Sequence, residues 1–373
     1  MNGNKITVNG TDITATPTAA TAQYTYTFDH WNNVPATVTG NVTNIEAVFT
    51  RALNTYTVTW KNADGTILET DTDVPYGTTP EYNGATPTKA ADATYVYTFD
   101  AWSPTVGSIT GNTIYTATYT TTSPVALVVA GSTTYHATVA DAIAAANATA
   151  NATVTMLQNA SVASEVTITA TMTIDLNGKT ISSTQAAATG VFKISASGKT
   201  VTINGTGGTI KHTAANASVY GINVAAGTTL NMTGGTVIAD GGSGNPRGIY
   251  VRGASGSIAT VSLTDVTVDS KSTGNNSIAV YTYSYTDVTI HSGTYTATAT
   301  SSSARYAAFT RNEPGSKITI EGGKFNGQDK DVHKGGTTAT ISISGGYYVH
   351  ETNLAANCAT NYSVFDLDRK SVV

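Results

Sequence analysis

Charged side chains are scarce in this sequence: only 12% of its 373 residues are Asp, Glu, Lys or Arg, about half the roughly 25% of ordinary soluble domains. The formal net charge is −5 and no Lys/Arg-rich run occurs, so the chain lacks the basic footprint that holds nucleic acid or an anionic membrane surface. Cysteine is nearly absent. Cys358 stands alone, which excludes an intrachain disulfide framework and reads as a small buried side chain. No His/Cys set has the spacing of a zinc site, and nothing in the sequence calls for a cofactor. No run approaches the roughly 20 apolar residues of a membrane helix, so no membrane insertion is expected within this stretch. The segment from Met1 to Gly10 is polar, unlike a signal peptide, so the signal for export is expected outside the fragment.

What the chain does have is strand pattern. Hydrophobic residues make up 40%, too many for a disordered segment of low charge, and they alternate in short runs such as Val201-Thr202-Ile203 and Ile318-Thr319-Ile320. Thr, Ala, Gly, Ser and Asn are abundant, the balance of a secreted wall protein. The length suits two or three domains.

Self-similarity divides the chain. Ala15-Thr16-Pro17-Thr18 is echoed by Ala85-Thr86-Pro87-Thr88, and Tyr26-Thr27-Phe28-Asp29-His30-Trp31 by Tyr97-Thr98-Phe99-Asp100-Ala101-Trp102. Gly40-Asn41 followed by Ala47-Val48-Phe49-Thr50 answers Gly111-Asn112 followed by Ala117-Thr118-Tyr119-Thr120. The second copy, over 54–122, is complete. It opens with Tyr56-Thr57-Val58-Thr59-Trp60, turns at Asn62-Ala63-Asp64-Gly65 and passes Pro75-Tyr76-Gly77. The first copy, over 1–53, lacks that opening hairpin. This pattern resembles the Listeria–Bacteroides repeat, the B-repeat of internalin-type surface proteins, although Asp100-Ala101-Trp102 stands where that family usually has Gly before Trp. The resemblance implies small β-grasp-like stalk modules rather than an enzyme. Trp31, Trp60 and Trp102 are expected to anchor the module cores, with a sugar-stacking role as the alternative.

After Pro124 the pattern changes. Val139, Ala142, Ile143 and Ala146 share a helical face, and Thr138 with Asp141 forms a cap pair, predicting one short amphipathic helix near 138–147. A strand-and-turn unit then recurs. Leu176, Ile203, Met232, Leu263, Ile290, Ile320 and Ile343, taken as equivalent, lie 27, 29, 31, 27, 30 and 23 residues apart. A second ladder pairs Phe192 with Ile194, Ile222 with Val224, Ile249 with Val251, Ile278 with Val280, and Ala307 with Phe309. An antiparallel sandwich does not demand such a period; a solenoid whose coils bury apolar residues against their neighbours does. The predicted fold class is therefore all-β: a right-handed parallel β-helix of about seven coils over 123–367, with a short N-terminal cap helix, preceded by the two modules. Residues 125–365 resemble the pectate-lyase-like right-handed β-helix superfamily, in particular its adhesin-like members, through Asn177-Gly178-Lys179-Thr180-Ile181 and Gly345-Gly346-Tyr347-Tyr348.

That superfamily contains polysaccharide lyases and hydrolases, so catalysis has to be argued from residues. The polygalacturonase set of Asn-Thr-Asp, Asp-Asp, Gly-His-Gly and Arg-Ile-Lys has no counterpart, nor does the lyase pattern of Arg, Pro and Arg. Asp265, Asp269 and Asp287 are candidates for an acid or ion cluster, and His212 and His291 follow strand ends; turn and edge solvation accounts for all five. No catalytic or metal-binding residue is assigned. Instead, with Ile249, Val251, Ile278 and Val280 inward, alternation turns Tyr250, Arg252, Tyr281 and Tyr283 outward. Arg305, Arg311, Tyr285 and Tyr306 extend that patch. Flat rings and planar donors suit sugar hydroxyls and carboxylates.

The reading is of a non-enzymatic adhesin or display protein on a bacterial cell surface or wall, meeting host or microbial glycans or surface proteins. A polysaccharide lyase or hydrolase and a plain spacer are the alternatives. Residues 368–373 are similar to a translated sequencing adapter and are expected to be a non-native tail on a fragment cut at both ends.

Overall fold

The computed structural model describes residues 6–8, 10–17, 19–37, 39–42, 44–195, 197–274, 276–300, 304–311, 313–350, 355–360, 365–367 and 370–372. Strand accounts for 53% of the described residues and helix for 3%, which fixes the class as all-β. The chain divides into two compact units, Met1–Ala90 with Tyr97–Thr121, and Thr122–Val373 with Ala91–Val96.

In the first unit Thr55–Lys61, Ile67–Pro75, Val96–Ser103 and Thr113–Thr122 form a four-stranded sheet in the order second, first, fourth, third. Its central pair is parallel, Val58 facing Thr113 and Trp60 facing Tyr115. Trp60 is 1% exposed. It stacks on Tyr115 at 4.7 Å, meets Trp102 edge-on at 4.8 Å, and donates its indole N–H to Asp71 Oδ2 at 2.9 Å. Trp60 and Trp102 share that core; Trp31 is half-buried, packs on Phe28 at 5.4 Å and donates to the Ile13 carbonyl, and no described residue of the first copy is fully buried. The earlier copy has the antiparallel pair Tyr24–Asn32 and Glu46–Leu53, counterparts of the last two strands of the complete copy.

The second unit is a right-handed β-solenoid of about six turns. Each turn gives one strand to each of three parallel walls. The first wall runs from Ala152–Met156 through Met172–Asp175, Thr200–Asn204, Thr229–Thr233, Ala259–Thr264, Thr286–Ile290 and Ser316–Ile320 to Thr340–Ile343. The second runs from Ala160–Val162 to Tyr347–Tyr348, and the third from Val166–Ile168 to Lys330–Lys334.

Alternation decides what is buried. In Val201-Thr202-Ile203 both aliphatic side chains are inward and fully buried while Thr202 faces out, and each inward Val or Ile contributes about 1.5–3 kcal/mol by leaving water. Ile174, Ile203, Met232, Leu263, Ile290, Ile320 and Ile343 stand in register. Leu176 does not belong to this ladder. The Asn-Gly following Leu176 turns with positive φ at Asn177 and Gly178, whereas Asn204 is still in its strand and neither it nor Gly205 has positive φ, so aligning the two Asn-Gly pairs shifted the register by two residues. Gly205 is needed because a Cβ there would come within 2.4 Å of the Gly234 carbonyl. In the last coils Tyr295, Phe325 and Tyr348 fill the interior as one stack, rings 5.0 and 5.1 Å apart and fully buried. Burial raises the pKa of both tyrosines far above the ordinary phenol value.

The open N-terminal end is covered. The hairpin Ala126–Ala130 and Ser132–His136 extends the first wall antiparallel. The helix Val139–Asn147 buries Val139, Ala142, Ile143 and Ala146 against the first coil, and Thr138 caps it by accepting from the Asp141 N–H at 3.1 Å. At the other end Lys370–Val372 pairs antiparallel with Tyr347–Tyr348 and with Phe365–Leu367; Asp368, Arg369 and Val373 lie outside the described residues. Cys358 is half-buried rather than buried. Among the described residues no helix is long and apolar enough to cross a membrane.

The cap generates a test. Ile143→Ala is expected to lower the solenoid's stability by about 3 kcal/mol and Thr138→Ala by about 1 kcal/mol, read as shifts of the denaturant midpoint. A midpoint unchanged by Ile143→Ala would mean the helix does not close the stack.

Candidate ligand-binding face on the third wall

Strands of the third wall carry two adjacent buried residues where simple alternation has one, as at Gly221-Ile222, Gly248-Ile249 and Ala279-Val280. This double inward step is a corner. A Cβ on Gly221 or Gly248 would strike Val237 or Val268 at 2.2 or 2.1 Å, so those strands need glycine there; the next strand has the buried Ala279 at the equivalent position. The corner fixes two outward columns. One runs Tyr220, Arg247, Ile278, Tyr306, Lys330; the other runs Asn223, Tyr250, Tyr281, Phe309, His333.

The second column is a continuous ladder of rings. Tyr250 and Tyr281 stack at 5.5 Å, Tyr281 and Phe309 at 5.2 Å, and Phe309 and His333 at 5.5 Å. Tyr220 joins at 4.8 Å from Tyr250, and Tyr306 at 5.3 Å from Phe309. Parallel in-register strands put equivalent side chains about 4.8 Å apart, so rings at equivalent positions must stack. Arg247 lies across the ladder, its guanidinium 4.6 Å from the Tyr281 ring and 5.6 Å from Tyr250. Its Nε is buried without a hydrogen-bond partner; ring faces hold this cation.

Just beyond the strands a third column alternates cation, ring and cation. Arg252 lies 4.7 Å and Arg311 4.3 Å from the Tyr283 ring. Arg311 has Glu313 at 3.3 Å, and a hydrogen bond to Tyr281 raises its pKa further. Burial raises the Tyr250 phenol, with Arg252 opposing.

The structure thus brings Tyr250, Arg252, Tyr281, Tyr283 and Arg311 together, with Tyr306 beside them. Arg305 is not on the face. It stands in register with the buried Ser277, and Asp329 engages its guanidinium through Nε at 2.8 Å and through a second short contact. Tyr285 sits in a turn at φ 48° with its ring against Gly315. Tyr281 is outward yet only 5% exposed, because its neighbours cover it. The expected inward pairs also need correction: Ile249 aligns with Val280 and Ala308, Ile278 with Arg247, and Phe309 faces out. Tyr220, Arg247, Phe309 and His333 were missed for this reason. The signal was present, since Gly248-Ile249 matches Ala279-Val280 once the corner is recognised.

The acidic and histidine candidates are scattered. Asp265 is bound by Ser292 in a turn, Asp269 pairs with Lys271 at 2.7 Å, and Asp287 pairs with Lys317 at 3.2 Å on the first wall. His212 is not a solvated turn residue. It is fully buried in the second wall, its two ring nitrogens 3.0 Å from the carbonyls of Tyr220 and Gln185. His291 bridges three coils, 3.1 Å from Ser262 Oγ and 2.7 Å from Glu321 Oε2. That is the order of nucleophile, base and orienting carboxylate. Acyl transfer also needs donors aimed at the developing oxyanion, and the nearby N–H groups of His291 and Glu321 are held by the carbonyls of Leu263 and Ile290. Among the described residues no group of three or more His, Cys, Asp or Glu could hold a metal ion.

No family model matches the chain, and it matches no curated protein and no solved structure.

His333 supplies a test of the ladder. Burial, and secondarily Lys330, lower its pKa. A histidine whose folded pKa is depressed binds its proton late, so it subtracts stability as pH falls below about 6.5, the unfolded value. His333→Phe keeps the stacked ring and is expected to flatten that part of the stability–pH curve; an unaltered curve between pH 7 and 5 would show that the ring is solvated.

Proposed function

We propose that this protein is a non-enzymatic surface-display protein or adhesin of a bacterial cell surface or wall, in which the repeat modules serve as a stalk and the third wall of the solenoid binds glycan. The observation that supports the binding face is the column Arg252, Tyr283, Arg311 beside the ring ladder. Ladder rings stack on one another, so their faces are largely occupied and they offer edges and hydroxyls. The outer column offers guanidinium forks to hydroxyls and carboxylates, the geometry that suits repeated hydrogen bonding along a polymer. Seven strands at about 4.8 Å spacing present a face about 30 Å tall, long enough for several sugar units.

The low charge, the abundance of Thr and Asn, and the Listeria–Bacteroides-like and adhesin-like patterns support the surface setting. The pectate-lyase-like resemblance also carries the lyase and hydrolase alternative, but Asp265, Asp269 and Asp287 are engaged separately, and the N–H groups beside the Ser262–His291–Glu321 relay are held by strand carbonyls.

Glycan-array binding by residues 124–367 should be saturable and without product release. Arg252→Ala with Tyr283→Ala is expected to weaken it at least ~10-fold, the loss of one or two charge-assisted contacts, while the denaturant midpoint stays within about 1 kcal/mol of the parent. Binding unchanged in the double variant, or release of shortened oligosaccharide by the parent, would overturn the reading.

A further inference from the structure

The three walls do not end together. The first continues to Thr340–Ile343 and the second to Tyr347–Tyr348 with Lys370–Val372 and Phe365–Leu367 added antiparallel, but the third stops at Lys330–Lys334. Among the described residues no strand pairs with the far side of Lys330–Lys334. Where another rung would lie, the chain instead forms the turn after Lys334 and the 3-10 turn Ala355–Asn357, and a cleft of about 360 Å³ lies between, lined by Lys330, His333, Lys334, Thr337 and Asn357. That volume is at the small end of ligand sites, the size for one residue of a polymer rather than a chain.

The cleft is electrostatically one-sided. Lys330 and Lys334 line it, and among the described residues no carboxylate does. The two acids that flank Lys330 are engaged elsewhere: Asp329 is held by Arg305, and the fully buried Asp331 accepts from the N–H groups of Gly327 and His350 at 2.8 and 2.6 Å. The floor includes the end of the ring ladder. His333 stacks on Phe309 at 5.5 Å and meets Tyr306 at 4.7 Å, and no described ring stacks beyond it. Lys330 Nζ lies 3.4 Å from His333 Nδ1, which fixes the ring's orientation.

We infer that this cleft is an end-recognition site for a carboxylate-bearing terminal sugar, with the carboxylate between Lys330 and Lys334 and the sugar ring against His333. The inference rests on the reading of the third wall as a glycan-binding face, and it adds a polarity: the acidic end of the ligand lies at the C-terminal end of the ladder. The plainer role for two lysines on an edge strand is to deter pairing with another chain; that role makes no distinction between acidic and neutral sugars.

The test is calorimetric titration of the full chain with two oligosaccharides identical except that the terminal carboxylate of one is reduced to a primary alcohol in the other. The parent is expected to bind the acidic form about tenfold more tightly, as a charge-assisted pair provides, and the preference should shrink as salt is raised. Lys330→Gln with Lys334→Gln should abolish the preference, so that the acidic and neutral forms bind equally. Thr337→Glu, which puts a carboxylate on the exposed turn without touching the edge strand, should do the same and guards against misfolding of the lysine variant. Equal binding of the two forms by the parent would overturn the cleft while leaving the binding face standing. A preference that survives both variants but is lost with Arg252→Ala would assign the carboxylate to the outer column, again overturning the cleft. Absence of binding to either form would remove the glycan-binding face and this inference with it.

Discussion

Everything in the solenoid depends on register between successive coils. A single coil has no interior of its own; its inward side chains leave water only when the coils above and below present side chains at the same heights. The ladder through Ile203, Met232, Leu263 and Ile290 is that condition made visible, and the covering helix and hairpin at the N-terminal end follow from it. The outer face inherits the same spacing. Rings that alternation would merely turn outward become a stack because the backbone holds them about 4.8 Å apart.

This gives the ring ladder two physical roles that need not compete. Neighbouring rings in offset contact are worth about 0.5–1.5 kcal/mol per pair, and a guanidinium over a ring adds about 0.5–2 kcal/mol depending on its burial. Arg247, with a buried Nε and three tyrosines around it, belongs to the wall. Arg252 and Arg311, at the margin, keep their forks in reach of solvent. The division follows exposure: the covered centre holds the wall together and the rim can meet a partner.

Much of this architecture was legible in the sequence because short apolar alternation at a steady period has few structural solutions. The cap helix was read nearly to the residue, since Thr138, Asp141 and the spacing of Val139, Ala142, Ile143 and Ala146 specify it locally. What failed was the third wall's register. Alternation assumes a straight strand, and the corner between Gly248 and Ile249 breaks that assumption, hiding Phe309 as an apparent core residue and leaving Tyr220 and Arg247 unnoticed. Arg305 failed differently: its partner Asp329 is 24 residues away and one coil on, a pairing that no local pattern reveals. The burial of His212 was likewise invisible, because its neighbours in the fold are carbonyls contributed by Gln185 and Tyr220.

In-register columns also set how such a chain can change over generations. Duplicating or deleting one whole coil, about 29 residues as between Ile174 and Ile203, adds or removes a row and leaves every other column aligned. Losing a single residue within a strand inverts the side chains that follow it. The genetic unit of this face is therefore the coil, and its reach is adjusted in steps of one strand spacing, in the manner of a ruler.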